Sequence, residues 1–206
     1  MKIRLCIFIF ILSSAPSVAQ SALHKFRKLS RPEKCWVLAH PFRAKKAMRI
    51  TAEVLAVVDT VKSSGIIGTD IAGGKLDAFK HAYWMASLSC GIGRKQAKKL
   101  GMAHEKGNYL QYKKRELEDS ILPDSVSCLM DKKNNEAGLS AVRINPVSPL
   151  GNIKIMLLKK AEAGYLYTIK KDAKGNYVRC DDSPIDMNEW QGKWNIPKCL
   201  ITFSKE

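Results

Sequence analysis

The sequence lacks most of the short patterns that announce a chemistry. It has no Cys-x-x-Cys pair, so a cysteine-built zinc site is not expected. It has no His-Glu-x-x-His, because His104-Glu105 is followed by Lys106-Gly107. No Gly-x-Ser-x-Gly elbow is present, which disfavours a covalent serine mechanism. There are no internal repeats and no low-complexity tracts. Past the N-terminal leader, no apolar run is long enough to span a bilayer. Aromatic and basic residues are not interleaved, so base stacking has no platform and nucleic acid is not an expected partner.

The leader itself is informative. MKIRLCIFIFILSSAPSVAQ places Lys2 and Arg4 before an apolar run from Leu5 to Leu12 and ends in small residues. This is the pattern of a secretory signal peptide, residues 1–19, with cleavage expected after Ala19. Residues 20–30 then form a basic arm. Export to the periplasm or the medium follows as an expectation. The formal charge of +16 becomes +14 once Lys2 and Arg4 leave. The lysines are scattered in pairs, such as Lys45-Lys46 and Lys170-Lys171, which fits a solvated basic surface. Anionic envelope components fit that surface as partners.

Five cysteines remain after Cys6 leaves with the leader. In an exported chain, pairs are expected to oxidise. Cys180 and Cys199 bracket a short segment rich in turn residues and are the expected disulfide. Cys90 and Cys128 fall on inward helical faces, either paired or as buried thiols. An odd number leaves one thiol unpaired within the chain.

Periodicity sets the fold class. Ala47, Ile50, Val54, Val57, Val58 and Val61 recur at helical spacing within residues 44–62. A glycine-rich loop follows over 64–74. The segment from Lys75 to Cys90 carries apolar residues on two faces, the mark of a central helix. Further helices are expected over 94–106, 125–143 and 153–163. Arg31 to Phe42 reads as a lead-in, and 109–122 as a charged segment, with helix one option for it, ended by Pro123. Alternation in Tyr165-Leu-Tyr-Thr-Ile, a turn at 172–176 and Tyr177-Val-Arg-Cys read as a β-hairpin, with Leu200 to Phe203 adding a strand. The expectation is a mainly α, single helical domain of about five helices over 31–206, with a small C-terminal β-hairpin at about 165–203.

The stretch LDAFKHAYW sets Asp77 and His81 four residues apart, on one helical face with Trp84 and Leu88. An acid and an imidazole therefore point inward. His104, flanked by Glu105, lies on the stripe of the next helix. On the helix containing MDKKNNEAG, Asp131, Asn134 and Asn135 face inward with Met130 and Gly138, while Lys132, Lys133 and Glu136 face solvent. Burying such groups without hydrogen bonds costs a few kcal/mol each, so they should meet one another or line a wet cleft. The functional reading assigns His81, His104, Asp77 and Asp131 to acid/base chemistry, and Trp84, Glu105, Asn134 and Asn135 to substrate contact. The structural reading makes them a satisfied polar network that sets helix register. No cofactor is predicted. A divalent metal is the open alternative, with ligands gathered from separate helices.

WVLAHPFRAKKA, DAFKHAYW, AHE and MDKKNNEAG, in this order, resemble a bacterial domain family of uncharacterised activity. That family is marked by D-A-x-x-H-A-x-W, A-H-E and M-D-x-x-N-N-x-x-G. The resemblance runs from Trp36 to about Tyr177. It implies a mainly helical domain, often exported or part of larger surface or toxin-like proteins, and it implies no known reaction. Matching positions are Asp77, His81, Trp84, His104, Glu105, Asp131, Asn134, Asn135 and Gly138. Lys132 departs from the pattern, which favours a more apolar residue there. Three functional classes follow: a secreted hydrolase using the His/Asp/Asn cluster, a non-catalytic binding or scaffold module, and a toxin or effector domain.

Overall fold

The computed structural model describes residues 23–117, 121–144 and 149–202. The expected signal peptide, the start of the basic arm, the break at Asn145-Pro146 and Phe203 lie outside the described residues. Eight helices and a two-stranded antiparallel sheet are present among the described residues. After helical residues 23–28 (α1) come α2 (Arg31–Ala39), α3 (Pro41–Ser64), α4 (Lys75–Ile92), α5 (Arg94–Lys114), α6 (Ser125–Ile144), α7 (Leu150–Glu162) and α8 (Met187–Trp190). None of them is long and apolar enough to cross a membrane.

Helix α4 is the axis of the fold. It packs against α3, α5, α6 and α7, while α2 lies on α5 and α3. Its Leu76, Ala78, Phe79, Ala82, Ala86 and Leu88 are fully buried, as expected of a helix apolar on more than one side. Val54, Val58 and Val61 of α3 and Ile153, Leu157 and Ala161 of α7 complete the core around it.

The helix count exceeds the expected five. Arg31–Ala39 is a helix, not a lead-in. Pro32 lies in its first turn, and Ser30 and Glu33 form a capping box in which the Ser30 N–H donates to Glu33 Oε2 at 2.8 Å. Part of the basic arm is helical as well. Helix α5 continues to Lys114 through the start of the charged segment and ends where Arg115 turns left-handed at φ 60°. Tyr109 and Tyr112 pack edge-on or tilted against Trp194, each at 4.9 Å between ring centroids. That contact comes from the far end of the chain, so local periodicity does not contain it. Cys90, expected on an inward face, is exposed, whereas Cys128 is buried.

The C-terminal tail differs in pairing from the expected hairpin. Strand β1 (Thr168–Ile169) pairs antiparallel with β2 (Leu200–Ile201), in the register Thr168↔Ile201 and Ile169↔Leu200. The turn at 172–176 is present, held by Asp172 Oδ1 accepting from the Lys174 and Asn176 N–H groups, but only the Lys171↔Tyr177 bridge closes it. Cys180 and Cys199 form the expected disulfide. The tail is tied to the helices by Ile169 N–H donating to Gly73 O at 2.7 Å. A buried ion pair between Lys198 Nζ and Asp124 Oδ2 at 2.6 Å adds a second tie. Asp124 also caps α6, accepting from the Val126 and Ser127 N–H groups.

Candidate functional site

Helices α4 and α6 lie side by side because α6 has a glycine where they touch. A Cβ on Gly138 would stand 2.0 Å from the Ala82 carbonyl oxygen, so only glycine permits this approach. The approach brings Asp131 of α6 against His81 of α4. His81 Nε2 is 3.2 Å from Asp131 Oδ1 and 3.5 Å from Asp77 Oδ1. The imidazole and both carboxylates are buried.

The loop before α4 orients Asp77. Gly73 has φ 81°, a left-handed conformation suited to glycine, and its N–H donates to Asp77 Oδ2 at 2.9 Å. Lys80, one turn on, places Nζ 2.8 Å from Asp77 Oδ1. Burial pushes the His81 imidazole well below its usual range. The positive charges of Lys80 and His104 push the same way, and the nearby Asn135 side chain opposes them. Asn135 itself donates from Nδ2 to Glu105 Oε1 at 3.2 Å. Asp77 and Asp131 against His81, and Asn135 against Glu105, thus gather polar groups from three helices.

Asp77, Lys80, His81 and Asp131 line a cleft of about 50 Å³. The loops 71–73 and 121–123, Ser127 and Tyr177 complete its walls. Tyr177 belongs to the tail. Its hydroxyl donates to Ala72 O at 3.0 Å, and burial with the charges of Asp70, Asp124 and Asp77 pushes its pKa up to about 12. It is therefore a neutral donor at the cleft wall.

Other expected site residues have different partners. His104 Nδ1 meets Glu33 Oε1 at 3.1 Å, and its ring centroid is 6.3 Å from that of His81 and 5.5 Å from Trp84. Trp84 donates its indole N–H to Thr51 Oγ1 at 2.9 Å. Asn134 is fully buried, and its amide pairs both ways with the Tyr167 backbone, each hydrogen bond 2.9 Å. Its amide is committed to docking the tail.

Sequence reasoning missed Glu33, Lys80 and Tyr177. Ser30-x-x-Glu33 was a capping-box signal in plain view, and Lys80 sits inside the quoted LDAFKHAYW. Tyr177 carried no local signal.

The fold and this cluster define a helical domain with a buried histidine–carboxylate cluster at the N-terminal end of its central helix. Residues 34–164 match the family described as Domain of unknown function (DUF6973), and the chain belongs to that family. All the motif residues named above lie in the matched span, while Tyr177 lies beyond it. No curated protein and no solved structure matches the chain.

Proposed function

We propose that this protein is an exported hydrolase acting on anionic esters, with its site at the cleft between α4, α6 and the tail. The observation that carries the reading is the convergence of His81 Nε2 with Asp77 and Asp131 oxygens at 3.5 and 3.2 Å on the wall of a cleft. His81 accepts a proton from a water in the cleft, the carboxylates stabilise the imidazolium that forms, and the ring returns the proton to the departing alcohol as the ester bond breaks. Water is the nucleophile. Lys80, together with the net positive charge of the whole chain, favours a negatively charged substrate such as a phosphodiester or phospholipid headgroup. A cleft of this size admits the reacting group and little more, so the rest of the substrate would lie outside.

Export is supported by the leader pattern of residues 1–19 and by the Cys180–Cys199 disulfide. Envelope polymers and lipids would be the accessible substrates.

A binding or scaffold module is the second reading. It is favoured by the commitment of Asn134 to the Tyr167 backbone and of His104 to Glu33, which are structural uses of motif residues.

One comparison separates them. Purified chain and its His81→Gln variant are assayed on chromogenic phosphodiesters and on anionic phospholipid vesicles, with melting curves alongside. The hydrolase reading expects turnover in the wild type and loss of at least about a hundredfold in a folded variant. Absence of turnover on every anionic ester, with a destabilised variant, supports the structural reading instead.

A further inference from the structure

One imidazole nitrogen and two carboxylate oxygens meet on the wall of the cleft. His81 Nε2 faces Asp131 Oδ1 at 3.2 Å and Asp77 Oδ1 at 3.5 Å. One ligand atom from each of the three residues lies within 4.8 Å of the others, and all three residues are buried. In an octahedral site with bonds of about 2.1 Å, neighbouring ligand atoms stand about 3.0 Å apart. The two nitrogen–oxygen edges, 3.2 and 3.5 Å, lie within about half an ångström of that.

One tautomer of the ring suits a cation. With its proton at Nδ1, the imidazole turns a bare Nε2 toward the two carboxylates, and a cation among the three would take one ligand atom from each.

We propose that Asp77, His81 and Asp131 bind one divalent transition-metal ion, Zn²⁺ or Mn²⁺, on the wall of this cleft. Two carboxylates and one imidazole match the preferences of these ions. Three protein ligands leave positions open for water and substrate, and the cleft supplies the room. Lys80 Nζ contacts Asp77 Oδ1, but its side chain is 21% exposed and its flexible stem can swing outward to meet a substrate anion. This proposal rests on the hydrolytic reading of the cleft and changes one role in it. His81 becomes a ligand, and an outer carboxylate oxygen takes the proton of the bound water.

The test titrates chelator-treated full chain with Mn²⁺, followed by electron paramagnetic resonance, and with Zn²⁺, followed by calorimetry. One saturable ion per chain is expected, with the pulsed spectrum of bound Mn²⁺ showing coupling to a single imidazole nitrogen. Asp131→Asn and Asp77→Asn should each weaken binding by about tenfold or more, while His104→Gln leaves it unchanged. No saturable binding by folded wild-type chain at millimolar ion overturns the proposal, as does affinity that survives both carboxylate substitutions. Where those variants fail to fold, the wild-type spectrum decides, and absence of nitrogen coupling is the overturning result. Binding without turnover of any ester would sustain the metal site and sink the hydrolase. Full turnover by rigorously metal-free chain would do the reverse.

Discussion

The Gly138 Cα of α6 lies so close to the Ala82 carbonyl of α4 that a Cβ would sit 2.0 Å from the oxygen. No flexible side chain can yield there, because the obstacle is helical backbone. Gly138→Ala should gain about 1 kcal/mol of helix propensity and lose more by forcing the helices apart. The expected net is a loss of about 2 kcal/mol, read by chemical denaturation. A variant as stable as the wild type would mean that α4 and α6 do not pack this closely.

Asn134 holds the tail. Its amide accepts from the Tyr167 N–H and donates to the Tyr167 carbonyl. Asn134→Leu removes both hydrogen bonds and strands two backbone groups, at about 1–3 kcal/mol each. The expected loss is about 3 kcal/mol in total, with amide exchange at Tyr167 accelerated. Unchanged protection at Tyr167 would contradict this role.

Glu33 links α2 to α5 and makes one pH dependence specific. Burial alone would raise its carboxyl, but the hydrogen bond and charge of His104, with hydrogen bonds from Ser30, hold it below its ordinary value of 4.5. A depressed carboxyl stabilises the fold fully above its unfolded pKa and loses that contribution as pH falls through the lower folded value. Glu33→Gln keeps the shape and loses the charge. It should be less stable by about 1 kcal/mol at pH 7, and the gap should close as pH falls below 4.5. Melting temperatures of the two proteins across that range provide the check. A gap that widens in acid would reverse the assignment.

The Cys180–Cys199 disulfide spans a sequence separation of 19. A closure of this length stabilises by about 3 kcal/mol, chiefly through the unfolded chain. The double variant Cys180→Ser, Cys199→Ser should melt lower by a corresponding amount. Trp194, packed on Tyr109 and Tyr112, gives a fluorescence reporter for the tail. A variant melting with the wild type would show that the Lys198–Asp124 pair and the Asn134 lock suffice without the bond.

Much of the fold was legible because helical periodicity is a local property. Val54, Val58 and Val61 mark the buried stripe of α3, and the two apolar faces of Lys75–Ile92 mark α4 as central. Helix α2 was misread although Ser30, Pro32 and Glu33 spell its start. A nine-residue helix carries too few apolar residues to show a period. The extension of α5 to Lys114 was hidden for another reason, since its aromatic partner Trp194 is eighty residues further along the chain. The expected hairpin was half right. Turn chemistry at 172–176 is local, whereas the partner of β1 is a distant strand.

By itself the sequence determined that the motif's acidic and amide side chains face inward. The 3.6-residue repeat puts Asp77 and His81 on one face of α4, and Asp131, Asn134 and Asn135 on the inner arc of α6. It also pointed to the disulfide, through a leader of the secretory pattern and two cysteines with turn residues between them. Only the tertiary structure decided what each inward group meets. Asn134 and Asn135 are neighbours on one helix, yet the first locks the Tyr167 backbone and the second donates to Glu105. His104 and His81 lie on adjacent helices, yet one pairs with Glu33 and the other with two carboxylates. Tyr177 reaches the cleft from beyond the family's matched span. Helix periodicity sets a direction about one axis, and a direction names no partner. The partner depends on how two axes cross and how closely they approach, which at this site turns on the missing Cβ of Gly138.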